Sequence, residues 1–270
     1  MDLIHPVRPV LELLVFRPEA GGTGTPADYG LDYTDVPVVT ADGCELSAWF
    51  VRARGGRAPL GHILYAHGNA GNISGRMPVL ALLADAGFDV LVFDYRGYGR
   101  STGRPSEQGM YLDARAARAA LLAQPEVDPE RVLYFGKSLG GGVLLELAQA
   151  HPPAGLILVS TFTGLRDVVR SLYPLLPAFT MPDAFPSLRR VRTLRSPVLI
   201  MHGERDELVP VGMGRDLFAA APEPKRLHIY PRAMHNTVPL QPGWNTAVAD
   251  WAREVLAAVD GTPARGTAAP

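Results

Sequence analysis

A chain of 270 residues with 47% hydrophobic and 20% charged residues suits one large α/β domain, and a domain of that size buries roughly 75% of its unfolded surface. A net charge of −1 with scattered basic residues argues against nucleic acid or an anionic membrane as partner. The single cysteine, Cys44, excludes an intrachain disulfide, and its strand-like surroundings make it a buried, reduced thiol.

In chain order, residues 1–30 read as an N-terminal arm. Its apolar run from Val10 to Phe16 is short and is interrupted by Glu12. A spanning helix needs about 20 apolar residues, so no stable membrane insertion is expected and the cytoplasm is the default compartment. Gly21-Gly22-Thr23-Gly24 reads as flexible. Residues 33–40 and 44–51 flank Ala41-Asp42-Gly43, a hairpin signal. From His62 the chain alternates apolar strands (63–66, 90–93, 132–135, 156–159, 198–201, 226–230) with helices (77–86, 107–122, after 138, 213–220, 246–259). Strands this apolar are covered on both faces, which predicts an α/β fold with a mostly parallel sheet between helices. Residues 261–270 read as a disordered tail.

The stretch 161–196 breaks the alternation. It is rich in apolar side chains, but Pro174, Pro177, Pro182 and Pro186 forbid one long helix. It reads as a small cap of short helices whose Phe162, Leu165, Leu172, Tyr173, Leu176 and Phe179 line an apolar pocket.

Gly136-Lys137-Ser138-Leu139-Gly140 joins the strand at Val132 to a helical run. A serine between glycines at a strand-to-helix turn is the nucleophile-elbow pattern, with the hydroxyl pushed into open space. With 28 Gly and nine Ser, about 0.1 matches arise by chance, and a second one exists at Gly99-Arg100-Ser101-Thr102-Gly103. That copy has no strand before it, and Gly103 and Pro105 interrupt any following helix. Ser101 is therefore a loop residue.

A serine needs a base to take its proton and an acid to hold that base. Of seven histidines, His5, His62, His151 and His228 read as structural or solvent-facing, and His67 and His202 lie in turns with other duties. His235, between the last strand and last helix, is placed to reach Ser138. Asp206 follows the strand 198–201 and can accept the imidazole N–H. Ligands of such sheets bind beyond the strand carboxyl ends. The oxyanion needs two backbone donors, which we expect from Leu139 and from Asn69 in His67-Gly68-Asn69-Ala70-Gly71-Asn72. The ending that a phosphate-cradling P-loop requires is missing from this turn.

Taken together, Tyr65 to Asn72, Asp94 to Ser101, Gly136 to Gly141, His202 to Asp206 and His235-Asn236 resemble the serine α/β-hydrolases. Within them the chain is similar to the Bem46-like proteins and their bacterial relatives. The resemblance implies Ser138, Asp206 and His235 as catalytic triad and Asn69 and Leu139 as oxyanion donors. The Asp94 to Ser101 block would shape a loop beside the site. The expected activity is cofactor-independent and metal-independent: hydrolysis of carboxylic esters or thioesters with apolar acyl groups. A peptidase or amidase of the same fold, which wants an acidic cluster for a substrate amine, and a non-catalytic binding or scaffold protein are the alternatives.

Overall fold

The computed structural model describes residues 16–173, 183–259 and 261. Its centre is an eight-stranded sheet of β2 (Tyr33–Asp35), β5 (Ala48–Val51), β6 (Gly61–Ala66), β8 (Phe88–Phe93), β9 (Val132–Lys137), β10 (Gly155–Val159), β11 (Val198–Gly203) and β12 (Lys225–Tyr230). They run in the order β12-β11-β10-β9-β6-β8-β5-β2. The β5–β8 and β2–β5 pairs are antiparallel; every other pair is parallel.

Alternation along each strand divides the core into two layers. Leu64, Leu91, Tyr134 and Leu158 pack under α2 (Glu107–Leu122), α3 (Leu139–Ala150) and α6 (Val211–Ala220). The intervening Ile63, Val90, Phe135 and Ile157 pack under α1 (Met77–Asp85) and α7 (Trp244–Val259). Both faces being covered, the central strands β6, β8, β9, β10 and β11 are buried along their whole length and mostly apolar. Ser106 caps α2 by accepting the Gly109 N–H at 3.1 Å, as the sequence boundary at 107 suggested.

The hairpin forms in two short pieces. Val38–Val39 (β3) pairs with Glu45–Leu46 (β4), and β2 pairs with β5 in the main sheet. Cys44 lies just before β4 and is half-buried rather than buried, as a free thiol.

The described end of the N-terminal segment is fastened to the domain. Arg17–Pro18 (β1) pairs in parallel with Ala70–Gly71 (β7), and the Phe16 ring meets Phe185 edge-on at 6.4 Å. The Gly21–Gly24 stretch, expected to be flexible, is pinned at Gly21: its N–H donates to Gly99 O at 3.0 Å and its carbonyl accepts Asn72 Nδ2 at 2.8 Å.

Between β10 and β11 the insertion holds two short helices, α4 (Leu165–Leu172) and α5 (Ser187–Val191). Leu176 and Phe179 lie outside the described residues, as do the apolar run 10–15 and the tail beyond 261. Phe185 belongs to the core, fully buried between Phe16 and Tyr111. Among the described residues no helix is long and apolar enough to cross a membrane.

Candidate active site

The carboxyl ends of β6, β9, β10 and β11 and the loop after β12 surround one cavity of about 500 Å3. Ser138 stands at its base between β9 and α3 with φ 52° and ψ −113°, a region costly for a residue with a side chain. The Ser138 N–H continues the strand ladder onto Val159 O at 2.8 Å. The flanking glycines answer the close approach: a Cβ at Gly136 would stand 2.6 Å from Gly141 Cα, and one at Gly140 only 1.9 Å from the Ala66 carbonyl oxygen. Since α3 begins at Leu139, the Leu139 N–H is among the first four, which have no partner inside the helix.

Asp206 and His235 meet at the neighbouring edge. His235 Nδ1 faces both carboxylate oxygens, at 3.0 and 2.9 Å, in surroundings where both residues are buried. The carboxylate also accepts the N–H groups of Leu208 at 3.0 Å and Val209 at 2.8 Å, and His202 Nε2 lies 3.3 Å from it. Burial pushes the Asp206 pKa up, but the His202 and His235 bonds and the His235 charge outweigh it and hold the carboxyl well below the carboxylate range. The loop carrying His235 closes tightly on β11: a Cβ at Gly203 would stand 2.3 Å from the Ala233 carbonyl oxygen.

Asn69 lines the cavity on the turn after β6. Its side-chain oxygen accepts the Tyr98 hydroxyl at 3.0 Å and the Arg17 N–H at 3.3 Å. Tyr95 holds the same turn by donating to His67 O at 2.8 Å, and Asp94 stands 3.4 Å from buried His67 Nε2. Burial lowers the His67 pKa, partly offset by Asp94. The Asp94 to Ser101 block is thus a brace for this turn. Ser101 itself donates to Asp94 O at 3.0 Å and accepts the Ser47 N–H at 2.9 Å. Both contacts occupy it structurally.

Of the expected pocket residues, Phe162, Leu165 and Leu172 line the cavity. Tyr173 does not; it is 59% exposed, because α4 ends at Leu172 and turns it outward. Val168, Leu208, Val209 and Leu240 add to the apolar lining without having been singled out in the sequence. Val168 follows Leu165 by one helical turn, a spacing legible in the sequence. The β11 and β12 loops supply the others, with no periodic signal. Arg17, Arg76, Lys137 and Asn236 also line the cavity. Lys137 donates through Nζ to Asn236 Oδ1 at 2.7 Å, tying the serine's strand to the His235 loop.

Burial, with repulsion from Arg76, pushes the Lys137 ammonium down to about 8 against the attraction of Asp206 and Glu207. Below that value the folded and unfolded chains both hold the proton. Above it the folded protein releases the proton and the unfolded chain keeps it up to the ordinary 10.5, so the unfolded state binds more protons and stability rises with pH. Between pH 8 and about 9.5, urea denaturation of wild type should show a gain of about 1–2 kcal/mol that Lys137→Met lacks. Parallel pH profiles of the two proteins would contradict this.

A family model described as alpha/beta hydrolase fold matches residues 61–189, and one described as serine aminopeptidase, S33, matches residues 180–239. The chain is 43% identical to Rv2307c, an uncharacterised protein of Mycobacterium tuberculosis, over 85% of its own length and 82% of that protein's. It is 33% identical to the alpha/beta hydrolase domain-containing protein WAV2 of Arabidopsis thaliana, covering 87% of this chain and 85% of that one. With bem46 of Schizosaccharomyces pombe it shares 30% identity over 85% and 80% of the two chains. Among solved structures, the Pyrococcus furiosus esterase Pf2001 is similar in fold, with a TM-score of 0.71 over 88% of this chain and 98% of that one at 24% identity. An esterase domain from a Rhodothermus marinus protein gives 0.63 over 83% and 99% at 25% identity. With a sheet of this order and kinship this extended, the chain belongs to the α/β-hydrolase family, in the group that includes bem46 and WAV2.

Proposed function

We propose that the protein is a serine hydrolase that cleaves carboxylic esters or thioesters with apolar acyl groups through an acyl-enzyme. One observation carries the reading: His235, held by both oxygens of Asp206, opens onto the same cavity as a serine kept at φ 52°. Ser138 Oγ attacks the carbonyl carbon while its proton passes to His235 Nε2. Asp206 keeps Nδ1 protonated and stabilises the imidazolium. The backbone N–H groups of Asn69 and Leu139 receive the oxyanion. Collapse of the tetrahedral intermediate gives the His235 proton to the leaving oxygen or sulfur. Water, activated by the same histidine, then releases the acid.

The cap side chains Phe162, Leu165 and Leu172 support an apolar acyl group. A peptidase reading draws on the serine aminopeptidase model at 180–239. It wants acidic side chains to receive a substrate amine, and the described residues lining the cavity include none.

A graded series of p-nitrophenyl esters from acetate to palmitate, run beside aminoacyl p-nitroanilides, tests this. Hydrolysis should favour chains longer than acetate, with labelling by a fluorophosphonate probe that Ser138→Ala abolishes. Cleavage of the anilides alone would move the protein to the peptidases. Absence of turnover and of labelling would leave a binding protein.

A further inference from the structure

Three cationic side chains, Arg17, Arg76 and Lys137, line the cavity that holds Ser138, and no carboxylate lines it among the described residues. The three converge on one turn. Parallel pairing sets Arg17 in register with Ala70. The Arg76 guanidinium donates through Nη2 to the Ala70 carbonyl. Lys137 Nζ stands 3.9 Å from the β position of Gly68. Segments far apart in sequence thus gather positive charge around residues 68–70, beside Asn69.

The nearest acids, Asp206 and Glu207, attract the Lys137 ammonium from outside the cavity lining without pairing with it. None of the three cations forms an ion pair with a carboxylate among the described residues. Arg17 is exposed, and Arg76 Nε is buried with no hydrogen-bond partner. Asp206, the acid of the neighbouring loop, is occupied by His202 and His235, and Glu207 accepts the His235 N–H at 3.3 Å. Glu19 Oε2 lies 3.9 Å from the Gly71 β position, near the Arg76 guanidinium, yet forms no ion pair with it. The stretch 174–182 contains no charged residue in its sequence. Lys137 is buried and is repelled by Arg76, and a buried cation with no carboxylate partner is retained at a cost in stability. A ligand anion offsets that cost.

We infer that the turn at residues 68–70 is an anion subsite, and that the preferred substrates join an apolar acyl chain to an alcohol or thiol bearing a carboxylate or phosphate. The apolar lining and the cationic lining meet at Ser138, so the scissile bond lies between the apolar and anionic halves of such a molecule. This substrate class rests on the esterase reading. The anion subsite itself is a binding property and is measurable without turnover.

Calorimetry with Ser138→Ala reads binding of octyl phosphate, mono-octyl succinate and uncharged octyl glucoside below their micellar concentrations. The better anion of the two distinguishes a phosphate from a carboxylate subsite. It should bind about tenfold or more tighter than the glucoside, and adding Arg17→Gln and Arg76→Gln should remove most of the preference, leaving what Lys137 supplies. Arg17→Gln alone changes an exposed residue and should lower the preference severalfold. Arg76→Lys should restore part of what Arg76→Gln loses, a recovery that a folding defect would not give. Equal affinity for all three amphiphiles, or a preference undiminished by both substitutions, overturns the subsite.

Hydrolysis supplies a second readout, comparing the hexanoyl ester of 4-hydroxybenzoate with that of its neutral methyl ester. The anionic-to-neutral ratio of kcat/KM should fall about tenfold in the double variant. An equal fall for both esters would mean that the charges act on the oxyanion of any substrate, which also overturns the proposal. If neither ester is cleaved, the esterase reading fails and the binding measurement still decides the subsite.

Discussion

Under the proposed serine-esterase mechanism, Ser138→Ala is expected to lower kcat for ester hydrolysis by about 10⁴-fold or more. Alanine keeps the Cβ and the backbone N–H that bonds Val159 O, so the elbow keeps its geometry while the attacking oxygen is gone. Asp206→Asn should cost about as much, because an amide at that position no longer selects the tautomer with Nδ1 protonated and no longer balances the imidazolium. The two substitutions together should cost little more than either alone, since residues acting as a unit are not additive. Single-turnover measurements with a p-nitrophenyl ester read all three variants, and turnover within tenfold of wild type in Ser138→Ala would assign the chemistry to another residue.

Gly140→Ala is expected to have the largest effect on folding. A methyl group there would meet the Ala66 carbonyl oxygen at 1.9 Å, its carbon at 2.5 Å and the His67 oxygen at 2.9 Å. All are backbone atoms in the strand and turn that carry Asn69, so relief requires α3 to lift off β6. Overpacking usually costs about 1–3 kcal/mol and more where nothing flexible can yield. We therefore expect a loss of about 3 kcal/mol or more, seen as a Tm lower by several degrees or as loss of folded protein. Gly212→Ala is the control. It lies in the first turn of α6 with no atom within 4 Å of the added carbon, and a helical alanine there should be neutral or slightly stabilising. Equal thermal stability of the two variants would contradict the close-approach argument.

Much of the architecture was legible because it rests on local patterns. The strands at 132–137 and 198–203 open on continuous apolar runs, 132–135 and 198–201, and α2 begins beside a serine cap at 106. Each tells the chain what to do within a few residues. Ser138, Asp206 and His235 were legible for the same reason, since each follows a recognisable strand at the edge where such sheets bind ligands. The second glycine-flanked serine shows the limit of pattern alone. Ser101 matches as well as Ser138 does, and only its contacts with Asp94 O and Ser47 N reveal its bracing role.

What the sequence by itself determined is therefore the order of strands and helices and the residues at strand ends, because hydrophobic periodicity and turn chemistry act over short distances. The tertiary structure decided what meets across the cavity. Arg17 lies in a stretch with no periodic signal, and it reaches the site only through parallel pairing with Ala70. Tyr98 supports Asn69, and Lys137 reaches Asn236 across 99 positions. Such contacts follow from sheet register and loop closure, which no local window encodes. Their outcome is a cavity apolar on the cap side and cationic around the turn at 68–70, the two features on which the proposed substrate class rests.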